Sequence, residues 1–267
     1  MERYVVFTDL DGTLLQHETY RFDAANPALT LLRDRGIPMV PCSSKTRVEI
    51  EHYRGLLQNK HPFVAENGGA VFIPNGYFPS RAPRAIRGGY EVLEFGQPYE
   101  TIVRALEQCR RETEALLTGF HDLSPEEVVA LTGLSLENAH RAKAREYDEP
   151  FLLYREEDRS SVAAWVRRAG LRISGGRRFY HLSGDHDKGQ AVDALLGQFR
   201  REAPVIAVGI GDSTNDLPML QAVDLPLLVQ RHDGTYDPHI SDPKIAQVPG
   251  VGPLGWNKAI LSLLAAT

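Results

Sequence analysis

At both ends of this chain, near-continuous apolar runs alternate with amphipathic stretches, and that order limits the fold more than any other feature. YVVFTDL (4–10) reads as a strand buried on both faces. NPALTLLRDRG (26–36) predicts a helix with Asn26 as N-cap, Pro27 in its first turn and Gly36 after its end. IPMVPCSS (37–44) is the next strand, TRVEIEHYRGLLQ (46–58) the next helix, and PFVAENGGAVFIP (62–74) a strand broken by a Gly-Gly turn. GQAVDALLGQFRRE (189–202), PVIAVGIGD (204–212) and DLPMLQAV (216–223) resume the pattern as helix, strand and short helix. An order of βαβαβ predicts an α/β fold with a Rossmann-like, doubly wound parallel sheet and right-handed crossovers.

Between the two ends the character changes. YEVLEFGQ (90–97), FLLYREED (151–158) and LRISGGRRFYHLSG (171–184) predict strands with a more polar face. The segments 99–117, 124–133, 136–147 and 160–170 predict helices. The expected organisation is a core formed by residues 1–80 and 181–267, interrupted by an inserted α+β domain at 81–180. A formal net charge of -5 and the lack of any apolar run near the ~20 residues a bilayer requires point away from a membrane. The amino-terminal residues enter a strand directly, so a cytoplasmic location is expected, with Cys42 and Cys109 both reduced. Arg167, Arg168, Arg172, Arg177 and Arg178 form no long basic stripe with interleaved aromatics, so nucleic-acid binding is not indicated.

The chemistry should lie at the carboxyl ends of the strands, where doubly wound sheets bind ligands. Asp9 and Asp11 stand at the first such end, Ser43 and Ser44 at the second, and Asp212 and Asp216 after the apolar strand VIAVGIG. Four carboxylates in one crevice need a counter-charge. A hard divalent cation with oxygen ligands answers that need, Mg²⁺ being typical, and Lys188 at the start of a helix supplies further positive charge. Each residue also has a plainer role open to it. Asp-x-Asp occurs in ordinary turns, serines cap helices, and Asn67-Gly68-Gly69 is a good hairpin turn.

FTDLDGT, PCSSKT, DKG and GDSTND, in that order, resemble the four motifs of the haloacid dehalogenase superfamily of phosphohydrolases, and the insertion resembles the C2-type cap of that superfamily. More narrowly, SSKTRVE, FVAENGGAVF and the run from GGRRFYHL to DKGQAV resemble the mannosyl-3-phosphoglycerate phosphatases, whose product is mannosylglycerate. The resemblance implies an aspartyl-phosphate mechanism with Asp9 as nucleophile and Asp11 as acid and base. It implies Mg²⁺ held by Asp9, Asp212 and the main-chain oxygen of Asp11, with Asp216 acting through water. Ser43 and Lys188 would hold phosphoryl oxygens, with Ser44 and Asn215 helping. The implied substrate is a phosphorylated sugar-glycerate. Its sugar and carboxylate would meet Glu66, Asn67, Gly68, Gly69, Arg177, Arg178 and His181, with the arginine forks suited to the carboxylate. Other readings left open are phosphatases for glucosyl-3-phosphoglycerate, sucrose phosphate or trehalose phosphate, a phosphosugar mutase, and a non-enzymatic phospho-acceptor.

Overall fold

The computed structural model describes residues 3–79, 86–175 and 179–265. Its strands are β1 (Tyr4–Thr8), β2 (Met39–Pro41), β3 (Phe63–Ala65), β4 (Ala70–Pro74), β5 (Ile86–Arg87), β6 (Tyr90–Glu94), β7 (Leu117–Gly119), β8 (Asp148–Leu153), β9 (Arg172–Gly175), β10 (Tyr180–Ser183), β11 (Ile206–Gly211), β12 (Leu225–Gln230) and β13 (Ala246–Val251). The helices are α1 (Asn26–Asp34), α2 (Arg47–Leu56), α3 (Tyr99–Thr113), α4 (Pro125–Thr132), α5 (Leu136–Lys143), α6 (Arg159–Arg168), α7 (Lys188–Glu202), α8 (Leu217–Ala222) and α9 (Pro253–Ala265).

The expected doubly wound parallel sheet is present, in the order β13-β12-β11-β1-β2. Strand alternation explains why β1 is apolar from Tyr4 to Phe7. Tyr4 and Val6 pack with residues of α1, α2 and α9, while Val5 and Phe7 pack with α7 and α8 on the opposite face. The chain runs outward from β1 to β2 and later restarts at β11 on the other side of β1. The order therefore reverses between β1 and β11, which opens the crevice between the residues that follow them, Asp9 and Asp212.

A second sheet, β7-β8-β10-β9, is antiparallel and carries α3 and α6 on one face. Ile102, Leu106, Cys109, Val162 and Trp165 pack there against Leu117, Phe151 and Leu182. A third sheet runs β3-β4-β6-β5, so Tyr90–Glu94 pairs with the hairpin strand β4 and with β5 rather than with β7 to β10. The pairing of β3 with β4 closes the predicted Gly-Gly turn, and a parallel bridge between Cys42 and Val64 joins that hairpin to the core sheet. Asn26 is not the N-cap of α1. A 3-10 turn over Asp23–Ala25 leads into the helix, and Ala25 occupies the cap position without a side-chain bond. Thr46 does cap α2, with a reciprocal bond pair to Glu49. Both cysteines are free and buried. No helix among the described residues is long and apolar enough to cross a membrane.

Candidate active site

The site begins where β1 runs out of partners. Thr8 receives the indole N–H of Trp256 at 3.0 Å and donates its hydroxyl to the Asp9 carbonyl at 2.8 Å, which fixes the last turn of backbone before Asp9. Gly12 has φ +81°, and a Cβ there would lie 2.7 Å from Asp212 Oδ2. Only glycine lets the Asp9–Thr13 loop approach the strand-end aspartate so closely. Thr13 then donates its hydroxyl to Asp212 Oδ1 at 3.3 Å.

Asp9, Asp212 and Asp216 are all buried, and one carboxylate oxygen from each lies within 4.8 Å of the others. The buried Lys188 ammonium donates to Asp9 and to Asp216, both at 2.6 Å. Its place at the first turn of α7 follows from the Asp187 side chain, which caps the helix by accepting the Gln190 amide at 3.0 Å. Burial opposes the ammonium, but Asp216 and Asp9 together hold the Lys188 pKa above its ordinary range. Burial likewise raises Asp9 well above the usual carboxylate range, against the pull of Lys188, and pushes Asp212 up to about 7 with help from Asp216. One ammonium thus leaves this trio of carboxylates short of positive charge. A hard divalent cation with oxygen ligands fits that deficit.

Asp11 is set apart from the trio. Its carboxylate is 31% exposed and pairs with the ammonium of Lys45 at 3.0 Å. Lys45 is itself buried, 3.7 Å from Glu49, and its ammonium lies 4.7 Å from the ring centre of Tyr20 and 5.5 Å from that of Tyr53. Two carboxylates and two aromatic faces hold it charged despite its burial. Sequence reasoning passed over Lys45. A lysine directly before a helix N-cap opposes the helix dipole, and that local oddity, with Glu49 four residues on, was the available signal.

Ser43 is buried just beyond Cys42, whose N–H bonds to the Thr8 carbonyl at 2.7 Å, so Ser43 and Asp9 both lie just past the ends of adjacent strands, where Thr8 pairs with Pro41. The Ser43 hydroxyl accepts the Lys45 amide at 3.2 Å, and the Ser44 carbonyl accepts from Arg145 at 2.8 Å. Asn67, at φ +56°, accepts the side-chain amide of Asn215 at 3.4 Å and so links the hairpin turn to the Asp212–Asp216 turn. Gly68 and Gly69 are places of close approach. A Cβ on Gly68 would fall 2.1 Å from the Asp187 carbonyl oxygen, and one on Gly69 would fall 2.5 Å from Tyr147 Cβ.

Glu66 sits apart from the carboxylate trio, and its carboxylate is occupied. It accepts the amides of Glu146, Tyr147 and Asp148 at 2.9, 2.8 and 2.8 Å, binding the core hairpin to the segment that enters β8. Burial and Asp148 push its pKa up to about 8, against Arg145 and those amides. His181 lies on β10 with Nδ1 2.9 Å from the buried Asp148 carboxylate, which also receives Arg145 at 2.7 Å. Arg145 and His181 hold Asp148 below its ordinary range despite burial, so the imidazole donates from Nδ1. Arg177 and Arg178 lie outside the described residues. Arg172 is spent on Asp185 and Asp187, at 2.6 and 3.1 Å.

A family model of haloacid dehalogenase-like hydrolases matches residues 6–79. The chain is 47% identical to a glucosyl-3-phosphoglycerate/mannosyl-3-phosphoglycerate phosphatase of Methanococcoides burtonii, over 98% of this chain and 97% of that one. It is 39% identical to a mannosyl-3-phosphoglycerate phosphatase of Pyrococcus furiosus, over 84% of this chain and 90% of that one. In fold it matches a solved subclass IIB sugar phosphatase of the same superfamily with a TM-score of 0.68 at 15% identity, covering 97% of this chain and 98% of that one. The chain belongs to the haloacid dehalogenase-like hydrolases. Within them it is an enzyme of the phosphatase class.

Proposed function

We propose that this phosphatase hydrolyses mannosyl-3-phosphoglycerate to mannosylglycerate and phosphate, in the cytoplasm. The glucosyl ester is the nearest competing substrate, since the 47% identical relative carries both names. The observation that carries the reading is the buried Asp9 beside Lys188, in a carboxylate trio gathered where the strand order reverses.

Asp9 attacks phosphorus in line. The bond to the glycerate oxygen breaks, and Asp11 gives its proton to that oxygen as it leaves. Asp11 then takes a proton from the water whose oxygen attacks the aspartyl-phosphate. Inorganic phosphate departs and the Asp9 carboxylate is restored. Lys45 fixes the orientation of Asp11 through both halves. Ser43 and Lys188 hold the phosphoryl oxygens, with Ser44 and Asn215 beside them. Asp9, Asp212 and the main-chain oxygen of Asp11, with Asp216 alongside, would hold Mg²⁺, which supplies positive charge between an anionic nucleophile and an anionic substrate. The insertion, 81–180, acts as the cap that excludes water, and His181, oriented by Asp148, meets the sugar-glycerate together with Asn67, Arg177 and Arg178. The bonds from Glu66 across to the chain entering β8, and the tight packing of Gly69 on Tyr147, set where that cap sits, while Gly68 abuts Asp187 ahead of α7.

The test is phosphate release from mannosyl- and glucosyl-3-phosphoglycerate, 3-phosphoglycerate, sucrose 6-phosphate and trehalose 6-phosphate, each with Mg²⁺ and with chelator. The expected result is metal-dependent preference for the mannosyl ester, lost by ~10⁴-fold or more in Asp9→Asn. Equal turnover of all five esters would discard the substrate assignment, and an active Asp9→Asn protein would discard the nucleophile.

A further inference from the structure

We propose that Asp237, on the loop joining β12 to β13, is a positioning residue that sets the geometry of the Asp212–Asp216 turn through Thr214. The inference rests on the proposed role of that turn. Its three leading amides all end on carboxylates. Those of Asp212 and Ser213 go to Asp216 Oδ2, at 3.0 and 3.2 Å. The third, from Thr214, goes to Asp237 Oδ2 at 3.1 Å, and the Thr214 hydroxyl donates to the same oxygen at 2.9 Å. Asp216 is also bonded to Lys188, so the shape of this turn is shared between a residue in the charged cluster and one outside it.

Asp237 is itself well anchored. It is 6% exposed, its Oδ1 accepts the His239 amide at 3.0 Å, and its carbonyl accepts the Ile240 amide at 3.1 Å. Ile240 and Ile245 plug the loop into the core beneath α7 and α8. The same loop reaches the other acidic segment, because His232 stacks on His17 with ring centres 4.8 Å apart and planes 19° apart. A loop that served only as a connection would need no carboxylate buried against Thr214. Outer partners of this kind tune a cation site by holding its ligands in place.

The experiment compares Asp237→Ala, Asp237→Asn and Thr214→Val with the unaltered protein. Mg²⁺ affinity is measured by calorimetry on the resting protein, with kcat, KM and Tm in parallel. Both Thr214 bonds end on Oδ2, so asparagine can keep them while giving up the His239 amide bond on the other side, and alanine can keep none of the three. Expected are a loss of Mg²⁺ affinity of roughly tenfold or more in Asp237→Ala, with lower kcat, recovery to within about threefold in Asp237→Asn, and a smaller loss in Thr214→Val that does not add to that of Asp237→Ala. A fall in Tm with unchanged Mg²⁺ affinity and kcat would overturn the proposal. If Asp237→Ala does not fold, a Thr214→Val protein with unchanged Mg²⁺ affinity and kcat would overturn it. An unaltered protein that turns over substrate without binding Mg²⁺ would remove the metal reading instead, leaving the effect on kcat to decide the role of Asp237.

Discussion

Two aspartates one residue apart, proposed as the nucleophile and as the acid and base, face different surroundings here. Asp9 is buried beside Lys188, while Asp11 is partly exposed and answers to Lys45. Replacing Asp11 by Asn should slow turnover of the sugar ester by about 10²–10⁴-fold, the usual worth of a placed general acid. With p-nitrophenyl phosphate, whose leaving group needs no proton, the same variant should release a burst of one nitrophenolate per enzyme and then stall at the aspartyl-phosphate. Stopped-flow absorbance checks this. A slow linear trace with no burst would remove Asp11 from the second half of the reaction. Asp9, Asp11, Ser43, Lys188, Asp212 and Asp216 were legible in the sequence because each follows or opens a regular element whose period is visible. Lys45 was not, because its partners Asp11, Tyr20 and Tyr53 are brought together only by the meeting of separate segments.

Among the elements, the hairpin turn between β3 and β4 does more than reverse the chain. Gly68 has φ +99° and abuts the Asp187 carbonyl, so it allows the first turn of α7, and with it Lys188, to reach the core strands. Gly68→Ala should cost about 1–3 kcal/mol in backbone strain alone. It should also lower kcat by displacing Lys188, and urea unfolding with steady-state kinetics would check both. An alanine variant of unchanged stability would mean the turn relaxes without moving α7. The sequence pattern foresaw a hairpin here, since Asn-Gly-Gly favours positive φ whatever surrounds it. Where β6 pairs was not foreseen. Its half-polar alternation, YEVLE, suits either antiparallel sheet, and only the register with Ala70–Pro74 selects one. The strand β13 lies at the sheet edge and carries Pro249 and Gly250, which break its run and hide it from pattern reading.

For the molecule as a whole, Glu66 is the buried tie between the core hairpin and the chain entering the antiparallel sheet. Glu66→Gln exchanges an acceptor oxygen for an amide donor facing backbone N–H groups. The expected cost is about 1–3 kcal/mol, read as a lower Tm, with KM raised because the insertion is held less firmly. No change in either quantity would show that the tie is dispensable. A second prediction concerns pH. Asp9 and Asp212 bind their protons more tightly when folded, Asp212 up to about 7. Their contribution to stability is therefore full below the unfolded value near 4, declines as pH rises, and is gone above about 7 for Asp212. Metal-free protein should lose stability from Asp212 between about pH 4 and 7. Added Mg²⁺ should raise Tm more at pH 8 than at pH 5.5, since protons then no longer compete. Thermal melts with Mg²⁺ and with chelator would check the sign, and a larger Mg²⁺ effect at pH 5.5 would refute it.

Strand-ending aspartates, a parallel sheet apolar on both faces, and a helix opened by Lys188 all follow from short-range periodicity and from residues adjacent in the chain. They were readable for that reason. The pairing of Asp11 with Lys45, the three amides given to Glu66, the Asp148–His181 contact and the hold of Asp237 on Thr214 each join residues distant in sequence. No local pattern encodes such a meeting. Burial forces each of these polar groups to find a partner, and only the packed chain decides which partner lies within reach.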